Sequence, residues 1–280
     1  MDTPPRRTPE QLQEHYDVER SLADRLREAP RPERLGLYRD VYDELYRRVP
    51  HHPQLTWKRS EAFQRQLVDQ QEQLLARFVR PDSVFLELGP GDCGVSLRMA
   101  QRAGRVFAVD VSEEVTRLRD APENLQLLLS DGCSVPVEPG CVDVAYSNQL
   151  MEHLHAEDAH EQLANVFAAL RPGGCYVCLT PNRRTGPHDV TRHFGPRAQG
   201  LHLVEYTSAD LRRLFTAVGF RHLQWFGAVR GRFRPVPAGL LAFGEAGLGL
   251  LPYRARRRVA DVPVVAGMLG LTLVARRPDA

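Results

Sequence analysis

The chain lacks any run of about 18 uncharged apolar residues, so no segment reads as a membrane-spanning helix. Its opening, MDTPPRRTPEQLQEH, lacks the apolar centre of a secretory leader. Neither sign of charge is in excess. The 37 Lys and Arg against 35 Asp and Glu leave +2, and no basic stripe interleaved with aromatics marks a nucleic-acid surface. Cysteine is sparse and odd in number: Cys93, Cys133, Cys141, Cys175 and Cys178. Without a leader, that pattern points to reduced thiols and a cytoplasmic location rather than a disulfide framework. No dense Asp, Glu and His cluster suggests a divalent-metal site, and no metal is expected. Internal repeats and low-complexity tracts are also missing.

What is present suits a soluble α/β protein. At 280 residues, 42% hydrophobic and 26% charged, the chain can bury a proper core as one domain with an extension. Residues 1–80 read as a helical extension without a strand. Tyr38, Val41, Tyr42, Leu45 and Tyr46 recur at helical spacing until Pro50 and Pro53. That spacing makes most of these tyrosines core residues, although Tyr16, Tyr38, Tyr42, Tyr46 and Trp57 could also face a ligand. Ser60 is placed to cap a second helix carrying Phe63, Leu67, Leu74 and Phe78. From residue 81 strands and helices alternate. VFLEL (84–88), RVFAVD (105–110), LQLLL (125–129), VDVAYS (142–147) and CYVCLT (175–180) read as strands. Helices are expected over about 92–102, 112–120, from Asp158 to about Leu170, and from Ser208 to Val218. The alternation predicts a Rossmann-like, mostly parallel sheet with helices on both faces. Residues 221–229 and 268–277 are expected to add an antiparallel pair at its edge, for seven strands in all. Residues 232–262, rich in Gly, Pro, Leu and Arg, read as an insertion in this 81–280 domain. Cys175 and Cys178 match C-x-x-C, but on a strand they face opposite ways, so they are expected to be buried thiols.

The run Gly89-Pro90-Gly91-Asp92-Cys93-Gly94 satisfies the G-x-G-x-x-G spacing of a dinucleotide loop. Asp92 argues against a phosphate there. It would stand at the helix start that an anion prefers, and two like charges ~5 Å apart at an effective dielectric of ~20 repel by roughly 3 kcal/mol. Asp110 ends the second strand, at the right distance to take hydrogen bonds from a ribose diol, and Asp131 follows the third. A cationic ligand with adenine and ribose but no phosphate suits these three carboxylates, and S-adenosylmethionine is such a molecule.

ELGPGDCG, followed by AVDVS (108–112), LLSDG (128–132), SNQLMEHL (147–154) and LRPGG (170–174), resembles the class I S-adenosylmethionine-dependent methyltransferases. The likeness is strongest to the small-molecule branch called methyltransferase type 11, and it covers about 84–229. It implies that Glu87, Gly89, Pro90 and Gly91 line the methionine end of the cofactor. Asp110 would bind the ribose, with Val111 and Ser112 beside the adenine. Asp131, Gly132 and Cys133 would border the adenine edge, and Ser147, Asn148 and Gln149 the floor beneath the methyl donor. Cys93 departs from the pattern, standing where the family usually has a third glycine. The product would be S-adenosylhomocysteine.

The acceptor is expected to be a small molecule methylated at oxygen or nitrogen by in-line displacement. Bases are sought after strands four and five: Glu152, His153 and His155, then His188, Asp189 and His193, with Arg192 and His193 as contacts to an anionic acceptor. Each has a plainer reading as a cap, a turn or a surface pair. An NAD-dependent oxidoreductase and a nucleic-acid methyltransferase are the competing functions. The first is opposed by Asp92, and the second by SNQL where an Asn/Asp-Pro-Pro-aromatic motif would stand. The apolar stretch 238–258, ending in arginines, offers contact with a membrane surface or a lipid-linked acceptor; a packed insertion with a solvated basic end is the preferred reading.

Overall fold

The computed structural model describes residues 7–56, 61–112 and 121–279. Trp57, Ser60 and the helix expected over 112–120 fall, apart from Ser112, outside those residues. Ten α-helices, two short 3-10 helices and eight strands are found among them, with four α-helices before the first strand. Strands β1 (Val84–Leu88), β2 (Arg105–Asp110), β3 (Leu125–Leu129), β4 (Val142–Asn148) and β5 (Leu170–Thr180) pair in parallel. β6 (Arg221–Val229), β7 (Arg232–Val236) and β8 (Leu271–Arg276) complete one sheet of order β3-β2-β1-β4-β5-β8-β6-β7. β8 runs antiparallel to both of its neighbours.

The sheet therefore has eight strands, not seven, and the 221–229 and 271–276 pair is not its edge. β7 lies at the start of the supposed insertion. Arg230 and Gly231 both have positive φ (49° and 74°), as a two-residue hairpin turn of type I′ requires, and Val229 pairs with Arg232 across it. Phe233 and Val236 then point inward while Arg232 and Arg234 are exposed. Pro235 is tolerated because this strand is the outermost.

Alternate residues of the strands feed two cores, one on each face. Phe85, Val106, Val144, Cys175 and Val177 pack with Leu74 and Leu75 of α4 (Glu61–Leu75) and Val95 and Met99 of α5 (Gly94–Ala100). Leu86, Val109, Tyr176 and Cys178 face the other way. They pack with α6 (Ala156–Ala169), α7 (Ser208–Val218) and the N-terminal helices α1 (Pro9–Glu28) and α2 (Arg31–Arg48). Cys175 and Cys178 thus lie in different cores, both buried and free. A short helix α3 (Pro53–Thr56) follows α2. The 237–270 region folds as α8 (Ala238–Gly249), α9 (Tyr253–Ala260) and α10 (Pro263–Leu269).

A buried ion pair ties α2 to α6. The Arg34 guanidinium donates to both carboxylate oxygens of Asp158, at 2.6 and 2.9 Å, and the Tyr38 hydroxyl donates to the same group at 2.6 Å. The His155 N–H in turn donates to the Tyr38 oxygen at 3.0 Å. This fixes α2 across the ends of the parallel strands, where ligands sit in open α/β sheets.

Candidate functional site

The turn after β1 is shaped by backbone constraints. Gly89 has φ +63°, its N–H donates to the Val109 carbonyl at 2.9 Å, and a Cβ there would stand 3.1 Å from Leu150 Cδ1. Only glycine fits that conformation and that closeness without strain. A Cβ at Gly91 would meet nothing within 4 Å, so the tip of the turn faces open space. Cys93 also lies in the left-handed region, at φ +58°, and is buried at the start of α5. Asp92 accepts the Gly94 N–H at 3.1 Å. The carboxylate itself therefore holds an amide at the helix start, where a phosphate would otherwise bind.

Beneath the turn, the buried Glu87 accepts from the Ser96 hydroxyl at 2.5 Å. Burial pushes its carboxyl up to about 8. The Ser96 hydrogen bonds oppose that shift, and the charges of Asp92 and Asp110 add to it. At the end of β2, Asp110 Oδ1 accepts from the N–H groups of Val111 (2.7 Å) and Ser112 (3.3 Å). Burial raises this carboxyl too, against hydrogen bonds from Ser112, Val111 and Gly91. These acidic groups gather in one turn and the neighbouring strand end. The set suits a cation bearing hydroxyls and fits S-adenosylmethionine better than a pyrophosphate.

After β3, Asp131 Oδ1 accepts from the N–H groups of Cys133 (2.9 Å) and Ser134 (2.7 Å). Partial burial pushes the carboxyl up, but these bonds outweigh it and hold the group below its usual range. The Gly132 carbonyl accepts from Gln162 of α6 at 2.6 Å, and a Cβ on Gly132 would stand 3.0 Å from the Tyr38 ring. The Cys133 thiol is buried and points to the Asp158 carbonyl of α6. Ser147 is buried with its hydroxyl 2.6 Å from Tyr176 OH, so its side chain lies within the sheet. Asn148 is half-buried, whereas Gln149, at φ +56°, is exposed.

The candidates beyond β4 and β5 fall in different places. His153 packs edge-on to the rings of Tyr42 and His202, and its Nδ1 lies 3.0 Å from the Leu201 carbonyl. Burial, reinforced by His202, pulls its imidazole down to about 3, so the ring is neutral. Glu152, His153 and His202 bring ligand-capable atoms within 4.8 Å of one another. Glu152 is fully buried; Thr180 Oγ1 donates to its Oε2 at 2.8 Å, and its carboxyl is raised by burial to about 7. Asp189 uses one oxygen for the Thr191 N–H (3.0 Å) and the other for the Gly200 N–H (2.8 Å), which shapes the 190–200 loop. His193 is exposed. His188 is held through Nε2 by the Asn182 carbonyl (3.2 Å) and Thr185 Oγ1 (2.9 Å).

A cleft of about 440 Å³ opens beside Gln149. Thr180 and Asn182 at the end of β5, His188, Arg192 and Arg257 are among its walls. Arg257 donates to the Thr185 carbonyl (2.8 Å) and pairs with Asp261 at 2.9 Å, while Arg192 lies 3.8 Å from Asp261. Of His153, His188, Asp189 and His193, His188 alone lines this cleft.

Several titratable residues in this region escaped the sequence reading. His202 pairs with Glu205 at 2.9 Å; burial opposes its charge, but Glu205 and Glu152 outweigh burial and raise its pKa. Glu19 of α1 is buried against the same loops and raised by burial, then by Asp189, to about 7. One signal could have found it: His15 and Glu19 lie in the apolar stripe of α1 with Val18, Leu22 and Leu26.

Residues 86–178 match a family model described as a methyltransferase domain. The chain is 28% identical over 196 residues to the "Probable S-adenosylmethionine-dependent methyltransferase" of Mycolicibacterium smegmatis, spanning 69% of this chain and 72% of that one. It is 33% identical over 109 residues to dimethylglycine N-methyltransferase of Parasynechococcus marenigrum, spanning 36% and 38%. Among solved structures, phosphoethanolamine N-methyltransferase 1 of Haemonchus contortus, in complex with phosphoethanolamine and S-adenosylhomocysteine, shares the fold. Its TM-score is 0.56 at 15% identity, with 88% of this chain and 50% of that one covered.

Proposed function

We propose that the chain is a class I S-adenosylmethionine-dependent methyltransferase and that it methylates an oxygen or nitrogen of a small-molecule acceptor held in the cleft beside Gln149. The observation that carries this reading is the position of Gln149. It directly follows β4, beside the strand that bears the Gly89 turn, and it lines the cleft. Cofactor site and acceptor site thus share one wall.

When bound, S-adenosylmethionine supplies a methyl group already activated on a sulfonium. The protein's task is then mainly to hold the two partners in line and exclude water. In this reading Asp92 carries the charge that faces the cationic methionine end, with Gly89, Pro90 and Gly91 around it and Glu87, protonated up to about pH 8, beneath them as a polar wall. Asp110 takes the ribose hydroxyls, and Val111, Ser112, Asp131, Gly132 and Cys133 flank the adenine, partly through backbone. Ser147 and Asn148 support the floor from within the sheet. Helix α2 acts as the cover, since Tyr38 lies on the loop after β3 and Tyr42 against His153.

His188 is the base for a hydroxyl or ammonium acceptor. A carbonyl only accepts, so the bond to Asn182 places the proton on Nε2 and leaves Nδ1 as the basic atom. The residue as a whole is exposed, but desolvation of its ring against neighbouring groups, opposed by Glu205, lowers its pKa and favours the neutral ring near pH 7. Arg192 and Arg257 give the cleft a cationic side for an anionic acceptor group. Asp189 and His153 position the loops around it, and His193 stands outside. The dimethylglycine relative and the phosphoethanolamine enzyme, whose names record small amine acceptors, support this substrate class.

The test is a screen of small amines, phenols and phosphorylated amino alcohols for S-adenosylhomocysteine release. On the best acceptor, His188→Gln should lower kcat by about 10²-fold or more while leaving cofactor affinity unchanged. Unchanged turnover would remove His188 as the base. Transfer to an RNA or DNA oligonucleotide, with none to small molecules, would refute the acceptor class.

A further inference from the structure

The most unusual surface of the molecule is the outer side of α8. Seven of the ten large hydrophobic residues exposed among the described residues fall between 240 and 264, so exposure is concentrated rather than scattered. Leu240 (53% exposed), Phe243 (78%) and Leu250 (88%) recur along one side of the helix and its C-terminal end. Leu241 and Leu248 fill the opposite, buried side. Between Ala238 and Pro252 the only charged side chain is Glu245, and it is buried, accepting from Ser208 and Asn182. A helix apolar on both sides is ordinarily covered on both.

The unpaired charge beside this face is basic, since the exposed Asp261 is already paired with Arg257 at 2.9 Å. Arg254 and Arg258 on α9 are exposed and make no ion pair among the described residues. Arg184 lies against the end of α8, its Nη1 3.2 Å from where a Cβ on Gly249 would stand. No acidic residue stands in the first turn of α8 or α9. Leu251, Val259, Val262 and Val264 extend the apolar exposure along α9 and α10. No described helix is long and apolar enough to cross a bilayer. An uncharged apolar face rimmed by free arginines matches the surface of a bilayer carrying anionic headgroups, with the helix lying in the interface.

The same helices border the cleft. Arg257, Ala260 and Asp261 of the α9 region and Ala266 and Gly267 of α10 line it, and Tyr253 reaches the Arg192 carbonyl at 3.4 Å. We propose that α8 to α10 form a docking surface that seats the protein on an anionic phospholipid membrane. The acceptor would then be an amphiphile presented at the bilayer; this consequence rests on the methyltransferase reading, whereas the docking itself does not.

The test is flotation of the full chain with vesicles of phosphatidylcholine alone and of phosphatidylcholine with about 30% phosphatidylglycerol. Binding should require the anionic lipid and fall in 0.5 M salt. Phe243→Glu with Leu250→Glu should reduce it at least tenfold, and Arg254→Glu with Arg258→Glu should weaken it severalfold. Melting temperature and S-adenosylmethionine affinity should stay unchanged in both, so failure of docking is distinguishable from failure of the cofactor assignment. Absence of vesicle binding overturns the proposal, as does equal binding by the Phe243/Leu250 variant. A dimer that this variant dissociates, with no vesicle binding, would make a second copy the occupant instead.

Discussion

Replacing Asp110 with asparagine should weaken S-adenosylmethionine binding by about 30- to 150-fold without unfolding the protein. The amide oxygen of asparagine can still accept the Val111 and Ser112 N–H bonds that Asp110 Oδ1 receives at 2.7 and 3.3 Å, so the turn after β2 should persist. What is lost is the charge, and the amide nitrogen that replaces Oδ2 only donates, so a ribose hydroxyl meets it through the hydroxyl's own oxygen in a neutral hydrogen bond. A hydrogen bond to a charged group contributes about 1.5–3 kcal/mol and a neutral one about 0.5–1.5 kcal/mol. Two hydroxyls of a ribose diol therefore lose about 2–3 kcal/mol together, and each 1.4 kcal/mol is about tenfold in affinity. Isothermal calorimetry at pH 7.5, with S-adenosylmethionine and S-adenosylhomocysteine, reads the change directly. Asp110→Ala should be worse, because it also leaves the buried N–H groups without an acceptor. Unchanged affinity in a folded Asp110→Asn protein would refute the ribose assignment.

Gly89→Ala should impair cofactor binding and lower the melting temperature, since the position combines φ +63° with a 3.1 Å approach to Leu150; left-handed strain alone costs about 1–2 kcal/mol. Arg34→Ala leaves the buried Asp158 carboxylate short of its partner and should cost about 3–5 kcal/mol, visible in thermal or urea denaturation. Glu87→Gln tests the pH profile. A carboxyl raised to about 8 favours folding fully below pH ~4.5, its unfolded value, and this contribution is lost as the pH rises toward 8. The variant should therefore gain stability relative to the parent between pH 5 and 8.5, and a pH-independent difference would show that Glu87 does not carry that proton.

Much of this architecture is legible in the residues because its signals are local. Apolar runs bounded by glycine, proline and aspartate mark β1 to β4, and strand alternation alone separates Cys175 from Cys178 onto two cores. β7 is hidden because Arg232, Arg234 and Pro235 contradict strand composition; only a hairpin partner and an edge position make them acceptable. The roles of Asp189 and Ser147 are equally invisible in sequence, because the groups that engage them, Gly200 and Tyr176, are brought in by the fold. The His202–Glu205 pair and the buried Glu19 belong to a network assembled from α1 and the 189–205 loop, far apart in the chain. The 238–258 stretch shows the converse limit. Its composition is plain, but whether an apolar helix is covered or bare depends on what packs against it, and α8 is packed through Leu241 and Leu248 on one side and exposed at Leu240 and Phe243 on the other.

The central claim is that an acidic glycine turn selects a phosphate-free cation. Parallel calorimetric titrations of the parent protein with S-adenosylmethionine and with NAD test it most directly. Saturable one-to-one binding of S-adenosylmethionine with no heat from NAD is the predicted result; binding of NAD with none of S-adenosylmethionine would contradict it.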